Sequence, residues 1–306
     1  MRKALFVGRH YVDIPKRKGP VLTDNQKHVT RDWAISFIAG NGVSSAFACR
    51  KLGGKVDLLS TVGQDEFGII FVKRAREHDI QLHQRHVAET SVSIIDLEGG
   101  DRTIERLRKD DSFLREFPPI EPEGFFAFHS DGHQADASVH YAQMFQAQGR
   151  RTSLDLGTVR TGTEDLLHFV DVVSAAEDVC ADMGAKDPRD LLDKLHARGR
   201  PKCLVTLGKK GLIWCEEDGV KRHMNPFSIL DREIVDGCNA GDFHNGARVF
   251  YHLENPEASF EESLHFASAV ASQSLRHMGC EQKLKMMVAA DNIRSMLAHR
   301  PVAVTA

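Results

Sequence analysis

Short apolar runs rich in β-branched or aromatic residues, interleaved with segments of helical periodicity, constrain this chain more than any other feature. Runs at 3–8, 56–63, 124–129, 152–157, 172–174 and 203–208 have the length and composition of strands. Among them lie 41–52, 66–78, 135–148, 189–197, 242–253 and 260–278, each with an apolar face at helical spacing. In 41–52 that face is Val43, Ala46, Phe47 and Leu52; in 66–78 it is Phe67, Ile70, Phe71 and Ala75. Strands that alternate with helices pair in parallel and are covered on both sides. The expected fold class is therefore α/β: a central, mostly parallel sheet with helices on both faces, built by residues 1–306 as a single domain.

Two stretches depart from the alternation. Residues 9–37 are polar, carry Pro15, Gly19 and Pro20, and include an alternating segment at 29–37. Residues 91–97 and 102–107 read as strands joined by Glu98-Gly99-Gly100-Asp101, a hairpin signal. Together they are expected to form a small β-sheet inserted in the domain as a lid over the carboxyl ends of the main strands. An open lid edge is a pairing surface, so a homodimer through the lid is expected.

Composition removes several function classes. Of the 306 residues 42% are hydrophobic and 27% charged, which suits a packed core. A net charge of −3 offers no basic surface for nucleic acid or an anionic membrane. The six cysteines (Cys49, Cys180, Cys203, Cys215, Cys238 and Cys280) show no C-x-x-C or zinc-like spacing and read as reduced thiols. No H-E-x-x-H is present, and His129 and His133 straddle Gly132, so histidine metal ligation is not indicated. There is no G-x-x-x-x-G-K-[ST], and Gly40-x-Gly42-x-x-Ser45 does not follow the first strand directly. Those absences set aside P-loop and Rossmann chemistry. The apolar stretch in the opening MRKALFVG is too short for a signal peptide and no run approaches a membrane span, so a cytoplasmic location is expected.

The chemistry concentrates at Val235-Asp236-Gly237-Cys238-Asn239-Ala240-Gly241-Asp242-Phe243-His244-Asn245-Gly246-Ala247, which runs from loop into helix. Small residues at Ala240 and Gly241 let a ligand approach the first helical amides, where unpaired N–H groups and the helix dipole favour an anion. Asp242 at that helix start suits either a general base or an N-cap. Asp236, six residues earlier, suits either a Mg–phosphate site or a loop hydrogen bond. Cys238 reads as a packing thiol.

This segment resembles the D-T-x-G-A-G-D-x-F-x-G-A signature of the ribokinase/phosphofructokinase-B carbohydrate kinase family. The resemblance implies Asp242 as the base that deprotonates the substrate hydroxyl, with Asn239, Ala240, Gly241 and Asp242 forming the anion hole. Further motifs follow in the family's order. Asp13 matches the Asp that binds sugar hydroxyls, and Ala39-Gly40-Asn41 matches the substrate loop, with Gly40 and Asn41 facing the sugar. Thr61-Val62-Gly63-Gln64-Asp65-Glu66-Phe67-Gly68 resembles V-G-x-D-x-x-G. Glu177 matches the Glu that orders Mg through water. Thr206-Leu207-Gly208-Lys209-Lys210-Gly211 matches the T-x-G-x-x-G nucleotide loop, giving Thr206, Gly208 and Gly211 as nucleotide contacts. Residues 266–279 resemble the helix that walls the adenine site, giving Ala267 and Ala271. Asp131, Asp155 and the lid arginines Arg106 and Arg108 are candidate substrate contacts. The implied cofactors are ATP and Mg2+, with a monovalent cation admitted. The implied partners are a sugar and ATP, and Phe243-His244-x-Gly246-Ala247 leans toward the ketohexokinase-like branch.

The chain departs from the pattern at Gly237 (Thr in the family), Asn239 (the first anion-hole Gly), Ser44 (Asn), Ser174 (Asn) and Ala39 (Gly). The Asn239 side chain is expected to intrude where the phosphate approaches, so that Asn239→Gly would raise the rate by up to about a hundred- to a thousandfold. Two rival functions follow. One is a sugar or nucleotide sensor that has lost turnover; the other is a nucleoside kinase using Tyr11, Trp33 or Phe37 as a base platform.

Overall fold

The computed structural model describes residues 2–17, 30, 32–98, 101–107, 112–200, 202–227, 229–299 and 304–305. Its strands are β1 (Lys3–Gly8), β2 (Tyr11–Arg17), β3 (Ser36–Ala39), β4 (Lys55–Gly63), β5 (Gln81–Val87), β6 (Ser91–Glu98) and β7 (Asp101–Leu107). They continue as β8 (Ala127–Ser130), β9 (Arg151–Leu156), β10 (Val172–Ala176), β11 (Lys202–Thr206), β12 (Leu212–Cys215), β13 (Arg222–Met224) and β14 (Val304–Thr305). The helices are α1 (Asn41–Leu52), α2 (Glu66–Glu77), α3 (Ala135–Ala147), α4 (Thr163–Leu167) and α5 (Pro188–Ala197). After them come α6 (Ala240–Glu254), α7 (Phe260–Ser274), α8 (Cys280–Met286) and α9 (Ala290–His299). Among the described residues no helix is long and apolar enough to cross a membrane.

Ten strands form one sheet in the order β14-β13-β12-β11-β10-β9-β8-β1-β4-β5. From β11 to β5 every neighbour is parallel, and β12, β13 and β14 extend the other end antiparallel. The pleat sends alternate residues of β1 to opposite faces. Ala4 and Phe6 enter a core with α1, α2, α6, α7, α8 and α9, whereas Leu5 and Val7 enter a second core with α3, α4 and α5. Helices on both faces make this a doubly covered α/β sheet, as expected. Local signals help fix its helices. Asp187 caps α5 ahead of Pro188, and Ser259 with Glu262 forms a reciprocal capping box at α7.

A second sheet of four strands has the order β3-β2-β6-β7. Pairing of β2 with β6 is parallel, while β2–β3 and β6–β7 are antiparallel. The small sheet therefore draws on both polar stretches singled out from the sequence. Positions 18–29, 31 and 99–100 lie outside the described residues.

Several boundaries differ from expectation. The strand expected at 124–129 begins only at Ala127, because Pro122–Gly124 forms a helical turn. The helix expected over 260–278 ends at Ser274. Strands β5, β12, β13 and β14 and helices α4, α8 and α9 carry no strong local pattern and were not anticipated.

Chain order places the site. After β1 the chain moves out to β4 and β5 on one side, then returns to β8 on the other. The carboxyl ends of β1 and β8 thus meet at a switch in strand order, the crevice in which open α/β sheets take their ligands.

Candidate active site

The loop before α6 is tied down at both ends. The amides of Val235 and Asp236 donate to the Leu275 carbonyl at 2.8 and 3.2 Å. The Asp236 carboxylate accepts the amides of Cys238 at 2.7 Å and Gly279 at 2.9 Å. Asn239 then adopts the left-handed conformation, φ 60 and ψ 3, immediately before Ala240 opens the helix. Asn tolerates this region better than other non-glycine residues. A Cβ added at Gly237 or Gly241 would meet nothing within 4 Å, so open space adjoins both glycines. The amides of Ala240, Gly241 and Asp242 have no intrahelical acceptor.

The intrusion expected of Asn239 does not occur. Its carboxamide turns back into the protein, where Nδ2 donates to Asp242 Oδ2 at 2.9 Å and reaches Ser44 Oγ at 3.4 Å. The Ser45 hydroxyl holds the Asp242 carbonyl at 2.9 Å. Asp242 is buried, and burial together with the nearby Asp155 charge lifts its carboxyl above the ordinary range, against the Asn239 hydrogen bond and the charge of Arg102. Asp155, at the end of β9, is raised by burial and by Asp131 while accepting from Asn41 Nδ2 at 3.2 Å. Arg248, buried on α6 and pushed down to about 10 by that burial, supplies the charge opposite Asp155.

Asp13 on β2 is pushed up to about 6 by burial, against a hydrogen bond from Ser93 and the charge of Arg106. Gly40 has φ 110, and a Cβ there would lie 2.0 Å from the Arg9 carbonyl, so only glycine fits. Asp131 is committed to the backbone: Oδ2 accepts from Arg9 and Gly42 at 3.3 and 2.9 Å, and Oδ1 from His133 at 3.0 Å. That geometry makes it a brace joining the ends of β1 and β8 to α1. Arg108 lies outside the described residues.

A cationic cluster adjoins these acids. Arg106 on β7 donates to the Tyr11 hydroxyl at 3.1 Å and lies 4.8 Å over its ring. Arg160, in the loop after β9, reaches His133 Nε2 at 3.1 Å, and His133 Nδ1 meets the Tyr11 hydroxyl at 3.4 Å. Burial, then the charges of Arg160, Arg106 and Arg9, push His133 down to about 4, so it is neutral there. Arg102, two positions before Ile104 and four before Arg106 on β7, feels the charges of Asp242 and Asp178. Arg102 and Arg160 were not among the residues expected from the sequence, and His133 was considered there only as a metal ligand and set aside. For Arg102 a signal existed, since period-two spacing puts it on the same face of β7 as Arg106.

The remaining candidates lie farther along the sheet. Thr206 ends β11 beside Ala176 of β10, and Glu177 follows as an exposed carboxylate. Gly208 and Gly211 both have positive φ in the turn to β12, where a Cβ on Gly211 would lie 2.0 Å from the Met224 carbonyl. On α7 Ala271 is half-buried, but Ala267 is enclosed in the core. The Asp236 carboxylate faces Lys283 at 3.3 Å, both side chains being fully buried. Cys238 is pushed up to about 12 by burial and the Asp236 charge, which fits a packing thiol. Among the described residues no group of three or more His, Cys, Asp or Glu could hold a metal by itself.

Comparison with known proteins agrees with this architecture. A family model described as pfkB family carbohydrate kinase matches residues 25–286. The chain is 23% identical over 312 residues to a ribokinase of Haemophilus influenzae, covering 93% of this chain and 96% of that protein. It is 24% identical over 317 residues to an ATP-dependent 6-phosphofructokinase of Thermoanaerobacterium thermosaccharolyticum, covering 95% and 92%. The Arabidopsis thaliana ribokinase solved with ribose and ATP superposes with a TM-score of 0.77 at 19% identity, covering 97% and 98%. With the family model spanning most of its length, the chain belongs to the pfkB family of carbohydrate kinases.

Proposed function

We propose that this protein transfers phosphate from ATP to a hydroxyl of a sugar or sugar derivative, with Asp242 as general base. The observation that carries the reading is the Asp242 carboxylate at the start of α6, behind a left-handed residue 239 and three helical amides without intrahelical acceptors. Asp242 takes the proton of the attacking hydroxyl while the 240–242 amides and the helix dipole hold the charge on the transferred group. Thr206, Gly208, Gly211 and Ala271 would hold the nucleotide, and Asp13, Gly40, Asn41 and Asp155 the acceptor. Glu177 suits Mg2+ through water, since that ion keeps most of its coordination to phosphate and solvent. Bound there, it would neutralise charge on the phosphates.

The small sheet would act as the lid: Arg102 and Arg106 reach from β7 toward both ends of the site, and closure would exclude water. Pairing of two lids through their exposed strands would give a homodimer. The three guanidinium groups around Tyr11 and His133 favour an acceptor that carries an anionic group of its own. The 6-phosphofructokinase relative is consistent with such a substrate. The test is ADP release from Mg-ATP with a panel of neutral ketoses and aldoses, sugar phosphates, sugar acids and nucleosides. Turnover of a sugar or sugar derivative is expected; turnover of nucleosides alone, or ATP binding without any turnover, would replace this reading with one of its rivals.

A further inference from the structure

Beneath the anion loop the protein carries a cation of its own. Lys283, on α8, is 1% exposed. Its ammonium donates to the Asp236 carbonyl at 2.9 Å and to the Cys238 carbonyl, and lies 3.3 Å from Asp236 Oδ2. The three donors of an ammonium therefore face three oxygens, which is what burying such a charge requires. The same carboxylate holds the Cys238 and Gly279 amides. Residues 236–238 thus wrap the ammonium, and the next residue is the left-handed Asn239 that sets the direction of α6.

Two inward-facing carbonyls and a carboxylate are also the donor set that a dehydrated monovalent cation takes from a protein. Potassium and ammonium ions match in charge and are close in size. A loop whose carbonyls converge this way needs positive charge at their focus; otherwise two buried carbonyls are left without a donor and the buried Asp236 carboxylate without a countercharge. Here the focus is filled by a covalently attached group. The monovalent cation admitted by the family resemblance therefore does not fit this position, because Lys283 stands in it.

We propose that Lys283 is a built-in replacement for a monovalent cation at the anion loop. It holds the Asp236 and Cys238 carbonyls in place, so that the neighbouring amides point toward the phosphate without a dissolved ion. The loop is then ordered at any salt composition, and Asp236 serves this cage instead of ligating Mg2+.

The experiment compares thermal unfolding of the full chain in potassium, sodium and choline chloride at equal ionic strength, for wild type and Lys283→Ala. Wild type should melt at the same temperature in all three. Lys283→Ala, which opens room for an ion and water, should melt several degrees lower in choline. Potassium or ammonium chloride should recover part of that loss by binding the vacated cage. Sodium, being smaller, should do less. A wild-type melting temperature that rises specifically with potassium would overturn the proposal, as would a Lys283→Ala protein indifferent to cation identity. Should Lys283→Ala yield no folded protein, the wild-type series decides alone. Melting needs no turnover, so this result stands apart from the proposed kinase activity; if that activity is found, wild-type kcat should be equally indifferent to the three salts.

Discussion

Replacing Asn239 by glycine, the residue most relatives are expected to carry, should slow this enzyme rather than speed it. The backbone at 239 is already left-handed at φ 60, so glycine restores no amide that the loop lacks. What it removes is the 2.9 Å hydrogen bond from Nδ2 to Asp242 Oδ2. A hydrogen bond to a charged group contributes about 1.5–3 kcal/mol, and a pKa unit corresponds to about 1.4 kcal/mol. The bond favours ionised Asp242, so its loss raises that pKa by about one to two units. Burial has already pushed the carboxyl up to about 8. Since the base acts ionised, kcat/KM at neutral pH should fall about ten- to a hundredfold, and the deficit should fade as pH rises past the new pKa. Global stability should fall by no more than about 2 kcal/mol, because relief of the left-handed strain, about 1 kcal/mol, offsets part of the lost bond. Ser44 Oγ stands 3.4 Å from the Asn239 carboxamide, so Ser44→Asn can bring a carboxamide to the same place from α1. The double variant Asn239→Gly/Ser44→Asn should regain most of the rate and the wild-type acid limb. The assay is coupled ADP release across pH 6–10 with each variant, the range being chosen to bracket about 8. A faster Asn239→Gly enzyme with an unmoved acid limb would refute the reasoning and reinstate Asn239 as an obstruction.

Two further outcomes are expected. Arg106→Met and Arg160→Met should each weaken an anionic acceptor about ten- to a hundredfold while leaving the Kd for ATP unchanged; equal loss with a neutral sugar would show that the arginines only support the fold. Sedimentation at micromolar concentration should give a dimer, and Leu107→Glu, on the exposed face of β7 opposite Arg106, should convert it to monomer; a wild-type monomer would remove the lid-pairing proposal.

The elements most legible in the sequence are those buried on both faces. β1, β10 and β11 read as largely apolar runs because helices cover each side of a parallel strand. β5, with the sequence QLHQRHV, lies at the sheet edge, and its outward polar residues erase that signal. The site divides in the same way. Asp242, Asn41 and Gly40 sit in contiguous motifs whose spacing is local, so a chain read from end to end reveals them. Lys283 has its partners 45 and 47 residues away and occupies a short polar helix that advertises nothing. Arg160 and His133 meet only because β8 and β9 are neighbours. Asn239 was visible as a departure, but its carboxamide turns toward Asp242 and Ser44, and no local pattern links Ser44 of α1 to it.

Whether Asp242 acts as the base or only as a helix cap is decided by Asp242→Asn. The substitution keeps size and hydrogen-bonding capacity but cannot accept the hydroxyl proton. Measured by single-turnover phosphoryl transfer beside calorimetric titration of ATP and acceptor, Asp242→Asn should lose transfer by at least about a thousandfold. Both ligands should still bind within a few-fold of wild type. Transfer at an undiminished rate would contradict the account and leave Asp242 as no more than the first-turn acid of α6.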